Sequence, residues 1–268
     1  MTYLVIKCGG SVLEKLPESF YENIIKLQES GQYQPVIVHG GGPLISSLLN
    51  KLNIKVTFHD GLRVTTEEVL DIVEMVLSGK VNKHIVKNLY KAGGKAFGLS
   101  GVDGNLLTAA PIEEGGNLGF VGKIVDVQTD GLKLLTEQGT IPVISPIALD
   151  AKGQRYNING DTAAAAVAKA LKARLCFISD IPGIWVETEG KKTVMKQITR
   201  KKILQLIDDK EIVGGMVPKV KGAMESLKDG VPEVVILNGL DDKSLLDYAN
   251  GGEAGTKITL DEEVVTHA

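Results

Sequence analysis

Lys7-Cys8-Gly9-Gly10-Ser11 follows directly on the apolar run Leu4-Val5-Ile6. A lysine at a strand end can reach into a crevice. Glycines without a Cβ let backbone N–H groups approach a phosphate closely. A second cradle stands at His39-Gly40-Gly41-Gly42-Pro43, after Val36-Ile37-Val38 and ahead of a helix. Three glycines before a helix N-terminus join amide donors to the positive end of the helix dipole, which suits an anion. This loop is not a Walker loop, because no Gly-Lys-Ser/Thr follows. It is not the dinucleotide fingerprint either, because the glycine spacing differs and the loop follows the second strand. Each loop alone reads equally well as a plain turn, but two after successive strands would face one crevice.

Further segments carry candidate chemistry. Arg63, in Gly61-Leu62-Arg63-Val64-Thr65, can grip a carboxylate with two parallel N–H bonds, which lysine cannot do. Asn157-Ile158-Asn159-Gly160-Asp161 lies at a strand-to-helix junction, and its two asparagines alternate onto one side of an extended chain. Asp161 reads as the N-cap of the following helix, and the same carboxylate could orient nearby lysines. Ser179-Asp180-Ile181-Pro182-Gly183-Ile184 follows another apolar run. Turn chemistry explains its Asp, Pro and Gly; a nucleotide-binding loop is the rival reading. Gly214-Gly215-Met216-Val217-Pro218-Lys219 leads into a helix. A lysine at the positive end of a helix dipole is unfavourable, and an anion there removes the conflict. His39, His59, His84 and His267 have no zinc-like spacing, and His39 is expected to hydrogen-bond backbone.

These residues must be positioned by strands and helices. Leu4-Val5-Ile6, Val36-Ile37-Val38, Ala96-Phe97-Gly98-Leu99, Ile141-Pro142-Val143-Ile144, Leu175-Cys176-Phe177-Ile178 and Val234-Val235-Ile236-Leu237 read as strands buried on both faces. Continuous apolar character is what a parallel sheet covered by helices requires. Helix signals fill the intervals: Pro17-Glu18 before an apolar-periodic stretch with Gly31 at its end, Pro43 in a first turn, and Thr65 or Thr66 as a cap. Glycine turns within 106–125 and 147–158 predict β-hairpins. The alternation implies an α/β fold, an open three-layer αβα sandwich with a mainly parallel central sheet. Ligands then gather at the carboxyl ends of the strands. A soft boundary falls near Arg174, giving an N-terminal lobe 1–174 and a C-terminal lobe 175–268.

Composition narrows the class. The chain has 268 residues, 43% of them hydrophobic and 24% charged, with a net charge of -3 and a pI near 5.9. That balance supports a sizeable core and gives no drive toward nucleic acid or anionic membrane. No apolar run approaches the ~20 residues of a membrane helix, and no signal peptide precedes the first strand. Cys8 and Cys176 sit in apolar runs and read as buried free thiols, which suits a reducing cytoplasm.

In this order and spacing, the segments resemble the amino acid kinase family over essentially the whole chain. Lys-x-Gly-Gly-Ser at Lys7 and Ser-Asp-x-x-Gly-Ile at Ser179 are shared across that family. The other segments are similar to members acting on N-acetyl-L-glutamate. The resemblance implies ATP-dependent phosphorylation of that substrate's side-chain carboxylate. It implies that Lys7 and Lys219 stabilise the phosphoryl group in transit, with Asp161 holding them. Gly41, Gly42, Arg63 and Asn157 would bind the acyl amino acid in the N-terminal lobe, which would also dimerise. ATP would lie on the C-terminal lobe. Its pocket would be formed by Gly9, Gly10, Asp180, Ile181, Pro182, Gly183, Ile184, Trp185, Glu211, Ile212 and Val213. Mg²⁺ would be held mainly by the nucleotide phosphates. Some members carry an extra N-terminal helix, form hexamers and are inhibited by arginine. With the first strand starting by Tyr3, the expectation is a homodimer without that control. The rival readings are another acceptor (glutamate, acetylaminoadipate or UMP) and a non-catalytic nucleotide or amino-acid sensor of the same fold.

Overall fold

Strand β1 (Thr2–Cys8) leads through α1 (Gly10–Leu13) and α2 (Glu18–Glu29) to β2 (Tyr33–His39) and α3 (Gly42–Lys51). A short hairpin, β3 (Phe58–His59) with β4 (Leu62–Arg63), precedes α4 (Glu67–Glu74), a π-helical segment Met75–Val81 and α5 (Asn82–Lys91). Then come β5 (Ala96–Ser100), β6 (Leu107–Pro111), β7 (Val121–Val127), α6 (Asp130–Glu137), β8 (Ile141–Ser145), β9 (Ile147–Leu149), β10 (Arg155–Ile158) and α7 (Gly160–Leu171). The remainder adds β11 (Arg174–Ser179), β12 (Trp185–Thr188), β13 (Lys191–Val194), β14 (Gln197–Thr199), α8 (Arg200–Asp208), α9 (Met216–Lys228), β15 (Val234–Asn238), α10 (Ser244–Ala249) and β16 (Thr256–Thr259). This computed structural model describes residues 1–112, 118–188, 191–213 and 216–260. Gly214, Gly215 and His267 of the sequence reading lie outside the described residues.

The main sheet has the order β14-β16-β15-β11-β1-β2-β8-β5. Every pair from β15 to β5 is parallel, and β16 turns antiparallel onto β15. Side chains alternate across this sheet. Leu4, Ile6 and Cys8 of β1 enter a core with α2, α3, α4, α5 and α10, while Val5 enters a core on the other face with α7, α8 and α9. That is the expected three-layer sandwich, with a mainly parallel sheet. The same alternation puts Lys7 on the α7–α9 face. In β11, Phe177 lies in the α7–α9 core and Cys176 and Ile178 in the other, so Ser179 also faces α9.

Local signals acted as expected where their chemistry is short-range. Thr66 caps α4, its hydroxyl accepting from the Val69 N–H at 3.3 Å. Gly31 takes φ +70° just beyond α2, and Pro43 sits in the first turn of α3. One expectation needs correction and one is extended. The 96–99 run is not buried on both faces: β5 is the sheet edge, paired with β8 alone, and Phe97 is 53% exposed. An apolar run looks alike in a central strand and in an edge strand awaiting cover. The hairpins β6–β7 and β9–β10 form, but they close further into a small barrel of order β10-β7-β6-β9. A hairpin that the sequence reading had not foreseen, β12–β13, follows the Asp180 loop.

Candidate active site

The carboxyl ends of β1, β2 and β11 meet at one crevice. Lys7 and Cys8 of β1 register with Val38 and His39 on β2 and with Phe177 and Ile178 on β11. The loops leaving these strands pack backbone to backbone. A Cβ on Gly10 would lie 2.9 Å from the Gly42 nitrogen, so the two glycine loops touch only because a side chain is missing. A Cβ on Gly41 would lie 2.7 Å from Leu77 Cδ2. The start of α7 packs on the same loops, with the Gly160 Cβ direction 3.4 Å from the His39 carbonyl oxygen.

That packing brings α7 to β1. Lys7 Nζ and Asp161 Oδ1 form an ion pair at 2.6 Å, with 11% and 26% of the two side chains exposed. Asp161 does not cap its helix, as the sequence reading had it. Asn159 is the cap: its backbone is extended, and its Oδ1 accepts from the N–H groups of Asp161 at 2.8 Å and Thr162 at 3.3 Å. Capping by Asn159, worth about 1 kcal/mol in typical helices, leaves the Asp161 carboxylate free to hold Lys7.

Lys219, on α9, reaches in from the other half of the chain. Its Nζ donates to Ser179 Oγ at 2.8 Å. Burial pulls the Lys219 ammonium below its ordinary pKa; Asp180 raises it, Lys7 lowers it and Asp161 raises it. The two cations therefore sense each other, and both feel Asp161, while Asp180 acts on Lys219. Lys15 stands 3.9 Å from Asp180 on the outer side. A site of two ammonium groups, two carboxylates and glycine amides is close to neutral when empty, and it can accept added negative charge.

Beside this cluster is a cavity of about 160 Å³, whose lining includes Gly41, Gly42, Arg63 and Asn157. All four proposed acyl-amino-acid residues meet there. Arg63 Nη2 donates to the Gly42 carbonyl at 3.1 Å and to Ser46 Oγ at 2.8 Å, and the guanidinium carbon stands 4.7 Å from the centre of the Phe58 ring. Nη1 is buried and has no hydrogen-bond partner among the described residues. A buried guanidinium edge without a partner costs free energy that an anion would recover. Asn157 Nδ2 donates to Thr65 Oγ1 at 3.1 Å, and that hydroxyl donates to the Arg63 carbonyl at 2.7 Å. Asn159 and Gly160 also line the cavity, so it ends next to Asp161. A second cavity of about 650 Å³ borders Asp161 between β7, α7 and α9.

The sequence reading missed Ser46, Phe58, Thr65, Asn159 and Ser179 as positioning residues. Thr65, Asn159 and Ser179 stood inside segments already singled out, Asn159 as a good cap type two residues ahead of Asp161, whereas Ser46 and Phe58 carried no signal. Among the proposed nucleotide residues, Gly9 has a Cβ direction 3.6 Å from Lys7 Nζ, and Gly10 opens α1. Asp180 reaches Lys219 electrostatically. Ile181 and Pro182 continue the loop, and Gly183 has φ +142° with its Cβ direction 2.5 Å from Thr256 Oγ1. Ile184 and Ile212 are buried in the α7–α9 core, whereas Glu211 and Val213 are exposed. Trp185 opens β12.

His39 is fully buried and structural, as expected. Its Nδ1–H donates to the Gly40 carbonyl at 3.1 Å, and Nε2 accepts from Asn82 Nδ2 at 3.3 Å. Burial pushes its pKa from 6.5 down to about 4. The folded chain thus keeps His39 neutral while the unfolded chain protonates it near pH 6.5. This contribution is fully present above pH 6.5 and is lost as pH falls toward 4. Urea unfolding is expected to show about 2–3 kcal/mol of such loss by pH 4.5, absent in His39→Gln. Equal pH slopes in the two proteins contradict that assignment.

The family model of the amino acid kinase family matches residues 2–238. The chain is 49% identical over 267 residues to an acetylglutamate kinase of Oceanobacillus iheyensis, covering 100% of both chains. It is 48% identical over 256 residues to an acetylglutamate kinase of Geobacillus kaustophilus, covering 95% of each. The solved structure of smu.665 from Streptococcus mutans UA159 matches with a TM-score of 0.80 at 29% identity, over 97% of this chain and 99% of that one. Giardia carbamate kinase, at 18% identity and a TM-score of 0.66 over 97% and 99%, shares the fold. The sheet order, the glycine loops at its carboxyl edge and these full-length likenesses lead to one conclusion: the chain belongs to the amino acid kinase family.

Proposed function

We propose that the chain phosphorylates the side-chain carboxylate of N-acetyl-L-glutamate with ATP, forming N-acetyl-L-glutamyl 5-phosphate for arginine biosynthesis. The observation that carries this reading is the small cavity holding the unpartnered Arg63 Nη1 and ending beside the Lys7–Asp161 pair. At about 160 Å³, it is below the roughly 300–1,000 Å³ of drug-sized ligand pockets and suits a small acceptor. The full-length likeness to acetylglutamate kinases supports the same substrate.

The chemistry fits a site without a general base. A glutamate side chain has a pKa of ~4.3 and is already ionised at neutral pH. The nucleophile needs no deprotonation. The difficulty is to bring an anion to a polyanion and to stabilise charge spreading over the moving phosphoryl group. Arg63 and the glycine loop after β2 hold the acceptor, with Asn157 beside them. Lys7 and Lys219 flank the transfer path, and Asp161 orients Lys7. Bound ATP with Mg²⁺ supplies the phosphoryl group and neutralises phosphate charge. The glycine amides and ammonium groups suit phosphate oxygens, and Mg²⁺ would be held mainly by the phosphates themselves. Gly9, Gly10, the Asp180–Trp185 loop and Glu211–Val213 are assigned to the nucleotide, with residues 175–268 as its lobe and 1–174 as the acceptor lobe.

A homodimer through the N-terminal lobe is supported by β5, which among the described residues pairs only with β8 and carries Phe97 53% exposed, and by Tyr90, 77% exposed at the end of α5. An open apolar edge invites pairing with a second copy. Among the described residues, no helix is long and apolar enough to cross a membrane.

A coupled ADP-release assay tests the substrate. N-acetyl-L-glutamate is expected to turn over, with hydroxylamine trapping an acyl phosphate, and unacetylated glutamate to react far more slowly. Equal turnover of the two would overturn the specificity. Nucleotide binding without turnover of any amino acid would favour a sensor.

A further inference from the structure

A third cavity, of about 420 Å³, lies outside the crevice where α1, α3, the π-helical segment and α5 meet. Its size falls within the roughly 300–1,000 Å³ typical of ligand sites. Leu13, Leu44 and Val81 give it an apolar lining, and Lys80, His84 and Lys87 stand along one ridge of the helical stretch. Lys83 also borders it, but its Nζ is occupied, donating to Asn82 Oδ1 at 2.9 Å and to the Gly98 carbonyl at 3.1 Å. His84 Nε2 pairs with Asn88 Nδ2 at 3.0 Å. Among the described residues, Lys80 and Lys87 have no hydrogen-bond or ion-pair partner, and Glu14, the one acid on the lining, pairs with neither. The cavity therefore joins apolar surface to unmatched positive charge. Lys80 and Val81 belong to a π-helical segment of seven residues; such segments are rare and gather at functional sites.

Val81 also faces the acceptor loop. A Cβ on Gly41 would stand 3.2 Å from Val81 Cγ2, so the valine fills the space beside Gly41 that a side chain there would occupy, and a shift of Val81 is felt at that glycine. We propose that this cavity binds a small amphipathic anion, a short alkyl or acyl body ending in a carboxylate or a phosphate, and that its occupancy alters acceptor binding through Val81 and Gly41. A cation such as arginine is rejected by the same lysines.

Isothermal titration calorimetry on the full chain, with ADP and N-acetyl-L-glutamate filling the crevice, tests the site. The probes are hexanoate, hexyl phosphate and hexylammonium. At least one anion is expected to bind, the ammonium is not, and the tighter of the two anions identifies the head group. The double variant Lys80→Gln/Lys87→Gln, changed at two exposed positions, is expected to weaken anion binding by about tenfold or more, with unaltered melting temperature and basal kcat. Absence of anion binding, equal affinity in the variant or equal binding of hexylammonium overturns the site. The second arm rests on the acceptor-site reading, which the calorimetry does not need: a saturating anion is expected to shift the KM for N-acetyl-L-glutamate by about fivefold in the parent chain and not in the variant. Anion binding with an unchanged KM overturns the coupling alone.

Discussion

Lys7→Ala is expected to lower kcat by about 10²–10³-fold, by analogy with loss of one oxyanion donor, with little change in KM for N-acetyl-L-glutamate. Lys7 lies beside Gly9, pairs with Asp161 at 2.6 Å and is only 11% exposed along its side chain. A charge held in so dry a place needs little reorganisation when negative charge develops nearby. Because the proposed grip on the acceptor lies elsewhere, at Arg63, its binding should survive. The fold should survive too, since the Asp161 left behind is 26% exposed and can be solvated. Lys219→Ala is expected to act similarly, because Lys219 is half-buried, is anchored on Ser179 and feels Lys7 directly. Steady-state kinetics showing full kcat in either variant contradicts the assignment.

Arg63→Ala is expected to raise the KM for N-acetyl-L-glutamate by about a hundredfold, close to 3 kcal/mol for a charged hydrogen-bonding group, while kcat falls much less. The guanidinium is already held by the Gly42 carbonyl, Ser46 and the face of Phe58, so it is pre-aimed before substrate arrives. Its free edge is Nη1. Arg63→Lys should recover only part of the loss, because an ammonium cannot offer the paired N–H geometry. An unaltered KM with a large fall in kcat would move Arg63 from acceptor binding to the transfer step.

Much of this site was legible in the residues. Continuous apolar runs gave away the parallel sheet, because a strand covered on both faces needs no polar side. Glycines after β1 and β2 read as phosphate cradles; the structure adds that Gly10 also lets the two loops touch backbone to backbone, and that Gly41 makes room for the side chains of Leu77 and Val81. Arg63 was weak as a single arginine. What singles it out is Gly42 and Ser46 of α3 and Phe58 of β3 closing on it, which no local pattern encodes. Asp161 and Asn159 are both good capping types two residues apart. Only the extended backbone at Asn159 decides between them. The barrel closure of β6, β7, β9 and β10 and the edge position of β5 depend on long-range pairing, which an apolar run does not report. The burial of Ile184 and Ile212 likewise follows from the packing of α8 and α9, not from their own segments.

The central claim is that two cations from opposite halves of the chain act on one transferred group. A double-mutant cycle on kcat with Lys7→Ala and Lys219→Ala reads this directly. The account predicts strong non-additivity, the double variant being little slower than the worse single variant. Losses that multiply in full, as for two independent sites, would contradict it.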